Sequence, residues 1–230
     1  DRMEATQLQQ YGLCHQKIEF YEEAIEAYTK ADILQPNSYW TILHLAQCYR
    51  ANAQYEKALE YYEIAEGLKP DNLSITFHIA ELHYELGDYE EAFPYLHKVD
   101  YHHPESLKTV RLLAECNLFS CKFEQAAKYY ERMMTEHTEE LTVKDWKNVA
   151  YTYLLLGKRD HFFNCLLRAE QLHEELPYEE VEIDGKCYPD KLSFAEEVQG
   201  DFNLLHSLGI SKDQLSYLYD AYCRSKKRQP

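Results

Sequence analysis

The sequence predicts an all-α solenoid of stacked helical hairpins, closed at its C-terminal end by further helices, and three observations predict it. Residues 39–72 and 73–106 align without a gap at a spacing of 34 residues: Leu45 over Ile79, Ala46 over Ala80, Tyr55 over Tyr89, Ala58 over Ala92, Pro70 over Pro104. Within each copy the apolar residues recur at steps of three and four, break at a turn, and resume, which is the pattern of two amphipathic helices. Pro36, Pro70 and Pro104 then fall at equal places, where a proline stops one helix and sets up the next.

The register extends in both directions. A copy starting at Ala5 contains Tyr11, Gly12, Tyr21, Ala24, Tyr28 and Ala31; one starting at Leu107 contains Leu113, Ala114, Phe123, Ala126 and Tyr130. A fifth starts at Val143 after a slip of two residues, with Trp146, Val149, Ala150, Tyr153, Gly157 and Ala169. The units are thus about 5–38, 39–72, 73–106, 107–142 and 143–174, making 1–174 one repeat region, with 175–230 a linker or hairpin plus C-terminal capping helices.

In the second unit the first helix is expected from Tyr39 to Ala51 and the second from Tyr55 to Gly67. Ala46, Ala58 and Ala65 stand where helix backbones approach, so a larger side chain there would overpack the contact. Gly87 and Gly157 supply left-handed turns between paired helices. The fourth unit lacks the closing proline, having Thr138 instead, and the fifth places Arg159 and Phe162 where an aromatic and an alanine are expected. Both read as drift towards the end of an array, where packing demands relax.

Beyond about Glu175 the repeat stops. Residues 181–188 alternate around Asp184-Gly185 between Pro177 and Pro189, as in a short hairpin or an ordered loop. Two helices are expected after them, 192–207 and 212–224, the second opened by Ser211 with Gln214 as a capping box. Their apolar stripes suit a cover for the last repeat, whose face would otherwise be bare.

A unit of this length, with small residues at the eighth, twentieth and twenty-seventh places, an aromatic at the seventeenth and a proline near its end, resembles the tetratricopeptide repeat. Ala46, Tyr49, Tyr55, Ala58, Tyr62, Ala65 and Pro70 match in the second unit. The resemblance covers about three quarters of the chain and implies a right-handed superhelix of antiparallel helix pairs that binds other proteins through its inner surface.

Composition narrows the function. A net charge of −16 argues against a nucleic-acid or anionic-membrane surface, and no run approaches the ~18 apolar residues of a membrane span. The 21 tyrosines fall largely at repeated places, where large rings fill gaps between helices. Cys14, Cys48 and Cys116 share the tenth place and read as small buried residues; neighbouring units are about 10 Å apart, too far to bridge them. An odd total of seven cysteines with no paired spacing points to a reduced, cytoplasmic setting. Catalytic strings, phosphate loops and His-Glu-x-x-His are absent, so no enzyme, no cofactor and no metal is expected. His44 and His78 share the sixth place, which suits either a polar groove position or a pH-sensitive or metal-binding pair; two ligands without a third make a poor metal site.

The places pinned by packing are the fourth, seventh, eighth and eleventh, so a stripe at the second, fifth, ninth and twelfth projects the other way. In the family that stripe lines the concave groove. Here it includes Trp40, Leu43, Gln47 and Arg50; Phe77, Glu81 and Tyr84; Lys108, Arg111 and Glu115; and Lys144, Lys147 and Tyr151. Aromatic and apolar residues among cations suit a peptide or partner segment with acidic and apolar side chains. The alternative is that the aromatics pack on neighbouring helices and the cations balance nearby Glu. Chaperone-binding relatives hold a carboxylate terminus with Lys, Asn, Asn, Lys and Arg. The corresponding residues are Gln9, Leu13, His44, Ser74 and His78, or Phe77, Glu81, Leu112, Lys144 and Asn148, and neither clamp is intact. The expected function is a non-catalytic protein-interaction module. A structural scaffold that self-associates, or a regulatory domain of a larger protein, is the alternative.

Overall fold

The computed structural model describes residues 2–177, 180–183, 186–189 and 192–226. Five helix pairs follow in order: α1 (Arg2–Lys17) and α2 (Tyr21–Leu34), α3 (Tyr39–Ala51) and α4 (Tyr55–Leu68), α5 (Leu73–Leu86) and α6 (Tyr89–His102), α7 (Leu107–Phe119) and α8 (Phe123–Glu136), α9 (Val143–Leu155) and α10 (Arg159–Glu175). The residues form two compact units, Asp1–Cys116 and Asn117–Pro230, divided within α7.

The core of the first compact unit follows the period. Ala24, Ala58 and Ala92, all at the twentieth place, are fully buried, as are the eighth-place Ala46, Ala80 and Ala114. Tyr28 and Tyr62 are buried to within 1% at the twenty-fourth place, so the tyrosine excess is in part architecture. A requirement that the glycines only hinted at recurs in every pair. The fifteenth place is left-handed throughout, occupied by Glu19 (φ 63°), Ala53 (54°), Gly87 (83°), Cys121 (57°) and Gly157 (73°). The turn between paired helices demands this conformation whatever the residue, and three units meet it with a side chain that disfavours it.

In the second compact unit the two extra residues of the fourth repeat become a single 3-10 turn, Thr138–Glu140, followed by the buried Leu141. Thr142 and Asp145 then form a capping box at the start of α9, and Ser193 and Glu196 another further on. At the twentieth place of the last pair Phe162 is buried and rests on Phe163.

The stretch after α10 is an antiparallel hairpin, β1 (Glu180–Ile183) and β2 (Lys186–Pro189), with Ile183 opposite Lys186; Asp184 and Gly185 lie outside the described residues. The helix expected over 192–207 is two: α11 (Phe194–Gly200) and α12 (Phe202–Ser207), meeting at Asp201 next to Gly200, a poor helix former. α13 (Lys212–Lys226) starts at the Ser211–Gln214 box, as expected.

Cys14 departs from its expected burial. Cys48 and Cys116 are inaccessible, whereas Cys14 is exposed. Cys48 is covered because Tyr28 of the preceding pair joins the same core cluster; among the described residues no pair precedes α1.

Candidate partner-binding surface

Along the first compact unit, the twelfth place of one repeat reaches the ninth of the next. Gln16 Nε2 donates to Gln47 Oε1 (3.3 Å), Arg50 Nη2 pairs with Glu81 Oε2 (2.9 Å), and the Tyr84 hydroxyl bonds the Glu115 carboxylate. Two of these rungs carry the same two additional partners. His44, at the sixth place, sets Nδ1 2.8 Å from Gln16 Oε1, which also accepts from the Tyr28 hydroxyl at 3.0 Å. His78, at the sixth place one repeat later, sets Nδ1 2.9 Å from Glu81 Oε2 and 3.1 Å from Arg50 Nη1, while Tyr62 hydrogen-bonds Arg50. Each imidazole lies beside its tyrosine ring, at 5.5 Å for His44 and Tyr28 and 5.4 Å for His78 and Tyr62.

The repeated geometry has a simple origin. First helices stack so that the last turn of one comes level with the middle turns of the next, and long polar side chains bridge that gap while their stems cover apolar neighbours. Burial sharpens the chemistry. It lowers the affinity of His44 for a proton, and it pushes the Tyr62 hydroxyl up to about 12 and the Tyr84 hydroxyl higher still, with the Glu115 carboxylate adding to the latter. His44 and His78 therefore sit in separate clusters as structural partners. Among the described residues no group of three or more His, Cys, Asp or Glu is arranged to hold a metal.

The expected groove residues accordingly divide into two sets. Gln47, Arg50, Glu81, Tyr84 and Glu115 are rungs between helices, and Glu115 is only 3% exposed. The sequence marked them as projecting away from the packed face, which they do, but into the neighbouring repeat. Trp40, Leu43, Phe77, Lys108 and Arg111, at the second and fifth places, are the more open set. Trp40 is 37% exposed, its ring 4.0 Å from that of His44 and edge-on to Tyr28 at 5.7 Å. Leu43 packs against the core cluster, and Arg111 is half-buried. Phe77 and the exposed Lys108 border one cavity of about 410 Å³, walled also by Leu73, Ser74, Val99, His103, Glu105, Ser106 and Thr109.

In the second compact unit Lys144 is exposed at the start of α9, but Lys147 and Tyr151 are not open. Lys147 Nζ lies 3.2 Å from Glu197 Oε2 and 3.0 Å from Asp201 Oδ2, and Tyr151, 1% exposed, donates to Asp201 Oδ2 at 2.6 Å. His173 Nε2 of α10 sits 3.2 Å from the other Glu197 oxygen. The expectation of a free cation and a free tyrosine here is corrected: Glu197 of α11 and Asp201 at its C-terminal cap stand one turn apart and take both. Burial and the Asp201 carboxylate together hold the Tyr151 hydroxyl protonated well above its ordinary range.

The sixth-place histidines and twenty-fourth-place tyrosines of the rungs were missed in sequence as parts of one cluster. Their shared period was the signal, since Tyr28 and Tyr62, like His44 and His78, stand one unit apart.

A family model described as anaphase-promoting complex, cyclosome, subunit 3 matches residues 21–99, about a third of the chain. No curated protein matches the sequence. Among solved structures, the fold is similar to that of MamA from Desulfovibrio magneticus RS-1 (TM-score 0.69, 13% identity, covering 75% of this chain and 96% of that one). It is similar also to another MamA, MSR-1 C2 (0.65, 19%, 74% and 97%), and to YrrB, described as a TPR protein with an unusual peptide-binding site (0.63, 15%, 73% and 86%). Among the described residues no helix is long and apolar enough to cross a membrane.

Proposed function

We propose that the chain, whose fold is similar to that of a tetratricopeptide-repeat protein, is a non-catalytic interaction module that takes a partner segment bearing acidic and apolar side chains. The second- and fifth-place residues of the first compact unit, Trp40, Leu43, Phe77, Lys108 and Arg111, make the contacts. Lys144 plays the same part in the second compact unit. The ninth- and twelfth-place rungs hold the first helices at fixed spacing and so preorganise the surface.

The observation that carries this reading is the cavity between Phe77 and Lys108. An aromatic ring and an ammonium bordering one space of about 410 Å³, in which the one lining carboxylate, Glu105, lies 3.4 Å from His103, offer a side chain apolar area and its neighbouring carboxylate a cation. The description of YrrB as peptide-binding supports the class of ligand. The acidic balance of the chain disfavours nucleic acid as a partner, and the buried free thiols of Cys48, Cys116 and Cys165 support a reduced, cytoplasmic setting.

Selection of peptides from a random display library on the wild-type protein tests the proposal. Enriched peptides should combine Asp or Glu with large apolar residues. Phe77→Ala and Lys108→Glu should each weaken their binding about tenfold or more. Enrichment without acidic residues, or affinities that ignore both substitutions, would overturn it.

A further inference from the structure

In the first four repeats the seventeenth place carries an aromatic residue, Tyr21, Tyr55, Tyr89 and Phe123, and in the fifth it carries Arg159. Within the second compact unit Arg159 borders a cavity of about 400 Å³, a size that suits a small ligand. Its walls are apolar: Phe123 at the start of α8, Leu154 and Leu155 at the end of α9, Leu208 and Ile210 in the turn before α13, and Leu218 within α13. Gly157 and Gly209, both in left-handed turns, also line it and add no side chain.

The three remaining lining residues are polar, and they offer donors. Arg159 is the one charged residue in the lining; it is exposed, and its guanidinium pairs with no carboxylate of the described residues. Other cations of this chain fare differently, since 40 acidic residues face 24 basic ones and Lys30, Arg50, Lys98, Arg132 and Lys147 each hold a carboxylate. Arg159 is also the first residue of α10, whose N-terminus no side chain caps, so the helix dipole adds to its field. Gln214 Oε1 accepts from both the amide and the hydroxyl of Ser211 at 3.1 Å, which leaves its Nε2 to donate. Tyr217, 60% exposed, brings a hydroxyl. Within two positions along the chain of these lining residues, Lys122, Lys158, Arg159 and Lys212 balance Glu124, Asp160, Asp213 and Asp220. The surroundings therefore lack the acidic excess of the chain as a whole.

An apolar space with a lone guanidinium at its edge selects a ligand with an apolar body and a single anionic end. One guanidinium balances one negative charge, and a planar carboxylate meets it with two parallel hydrogen bonds. The lining also separates the sources of such a group. A peptide brings backbone N–H groups that need acceptors, and among the lining side chains only the Tyr217 hydroxyl is still open to accept. An alkyl chain makes no such demand. We propose that this cavity binds a medium-length alkyl monocarboxylate, its chain against the leucines and Phe123 and its carboxylate on Arg159. The site uses neither Phe77 nor Lys108, so it stands or falls independently of the partner-segment reading.

Isothermal titration calorimetry of the wild type with hexanoate, octanoate and decanoate tests it. One site should fill, and each added methylene should tighten binding about threefold. Octylamine should bind at least about tenfold more weakly than octanoate, and Arg159→Gln should weaken octanoate about tenfold while leaving octan-1-ol unchanged. Arg159 is exposed, so circular dichroism of that variant should match the wild type. Leu155→Trp, which fills the space, should abolish binding of all three acids; should the tryptophan disturb the fold, the Arg159→Gln comparison decides alone. The proposal is overturned by the absence of saturable decanoate binding below its micelle concentration, by equal binding of octanoate and octylamine, or by indifference to Arg159→Gln. A peptide with a free C-terminal leucine that binds through Arg159 while the acids do not would also overturn it.

Discussion

Arg50 of α3 and Glu81 of α5 meet at 2.9 Å, the twelfth place of one repeat against the ninth of the next. Gln16 and Gln47 make the same contact one repeat earlier without charge. With side chains 34% and 26% exposed, the ion pair is screened by solvent, and a double-mutant cycle with Arg50→Ala and Glu81→Ala should give a coupling of only about 0.5–1 kcal/mol. That coupling should shrink as salt is added, whereas the Gln16/Gln47 cycle should not respond to salt. Chemical denaturation at two ionic strengths measures both.

Gly12 lies against the ring of Tyr28: a Cβ there would come within 2.8 Å of Tyr28 Cε1. The ring has little freedom to yield, since its hydroxyl is held by Gln16 and its faces meet Trp40 and His44. Gly12→Ala should therefore destabilise by about 1–2 kcal/mol, overpacking outweighing the roughly 1 kcal/mol gain in helix propensity. Thermal melts in the wild-type and Tyr28→Leu backgrounds check this, because the smaller residue should remove the penalty.

Ala53 and Cys121 occupy left-handed turn positions that Gly87 and Gly157 fill in other repeats. Ala53→Gly should stabilise by about 0.5–1 kcal/mol, the relief of the left-handed penalty less the extra entropy of an unfolded glycine. A fall in the denaturation midpoint would show that this turn is not strained.

Burial raises the Cys48 and Cys116 thiols from an ordinary 9.0 to about 12, and the Tyr62 hydroxyl from 10.0 to about 12. Each group keeps its proton longer in the folded chain than in the unfolded one, so its contribution is complete below the unfolded value and is lost as pH rises through the folded one. Stability should hold up to about pH 9 and fall between about 9 and 12, as equilibrium unfolding at stepped pH would show. Maleimide labelling of the native protein near pH 7 should favour Cys14 and Cys121, which are exposed, over Cys48, Cys116 and Cys165.

Lys147 holds the carboxylates of Glu197 in α11 and of Asp201 at its C-terminal cap, and Lys147→Met leaves the two side by side without that cation. The loss should be about 1–2 kcal/mol, moderated because the carboxylates retain 31% and 27% exposure. Hydrogen exchange should rise across α11 before it rises in α9; uniform exchange in both would mean that the cover is held by Phe194 and Val198 instead.

The sequence by itself determined the repeat. A period of 34 residues records where each side chain sits within its own helix pair, and helix positions, alanine contacts, buried tyrosines and turn sites all follow from that environment. The tertiary structure alone decided what the stripe at the ninth and twelfth places touches. Gln16 and Gln47, or Arg50 and Glu81, become neighbours only when one repeat is laid on the next, and the distance of that stacking is set by the summed packing of many side chains rather than by any local pattern. The same reason hid the fate of Lys147 and Tyr151. Their place in the period marks them as open, while the residues that close over them, Glu197 and Asp201, lie outside the period and are brought there by the apolar face of the tail.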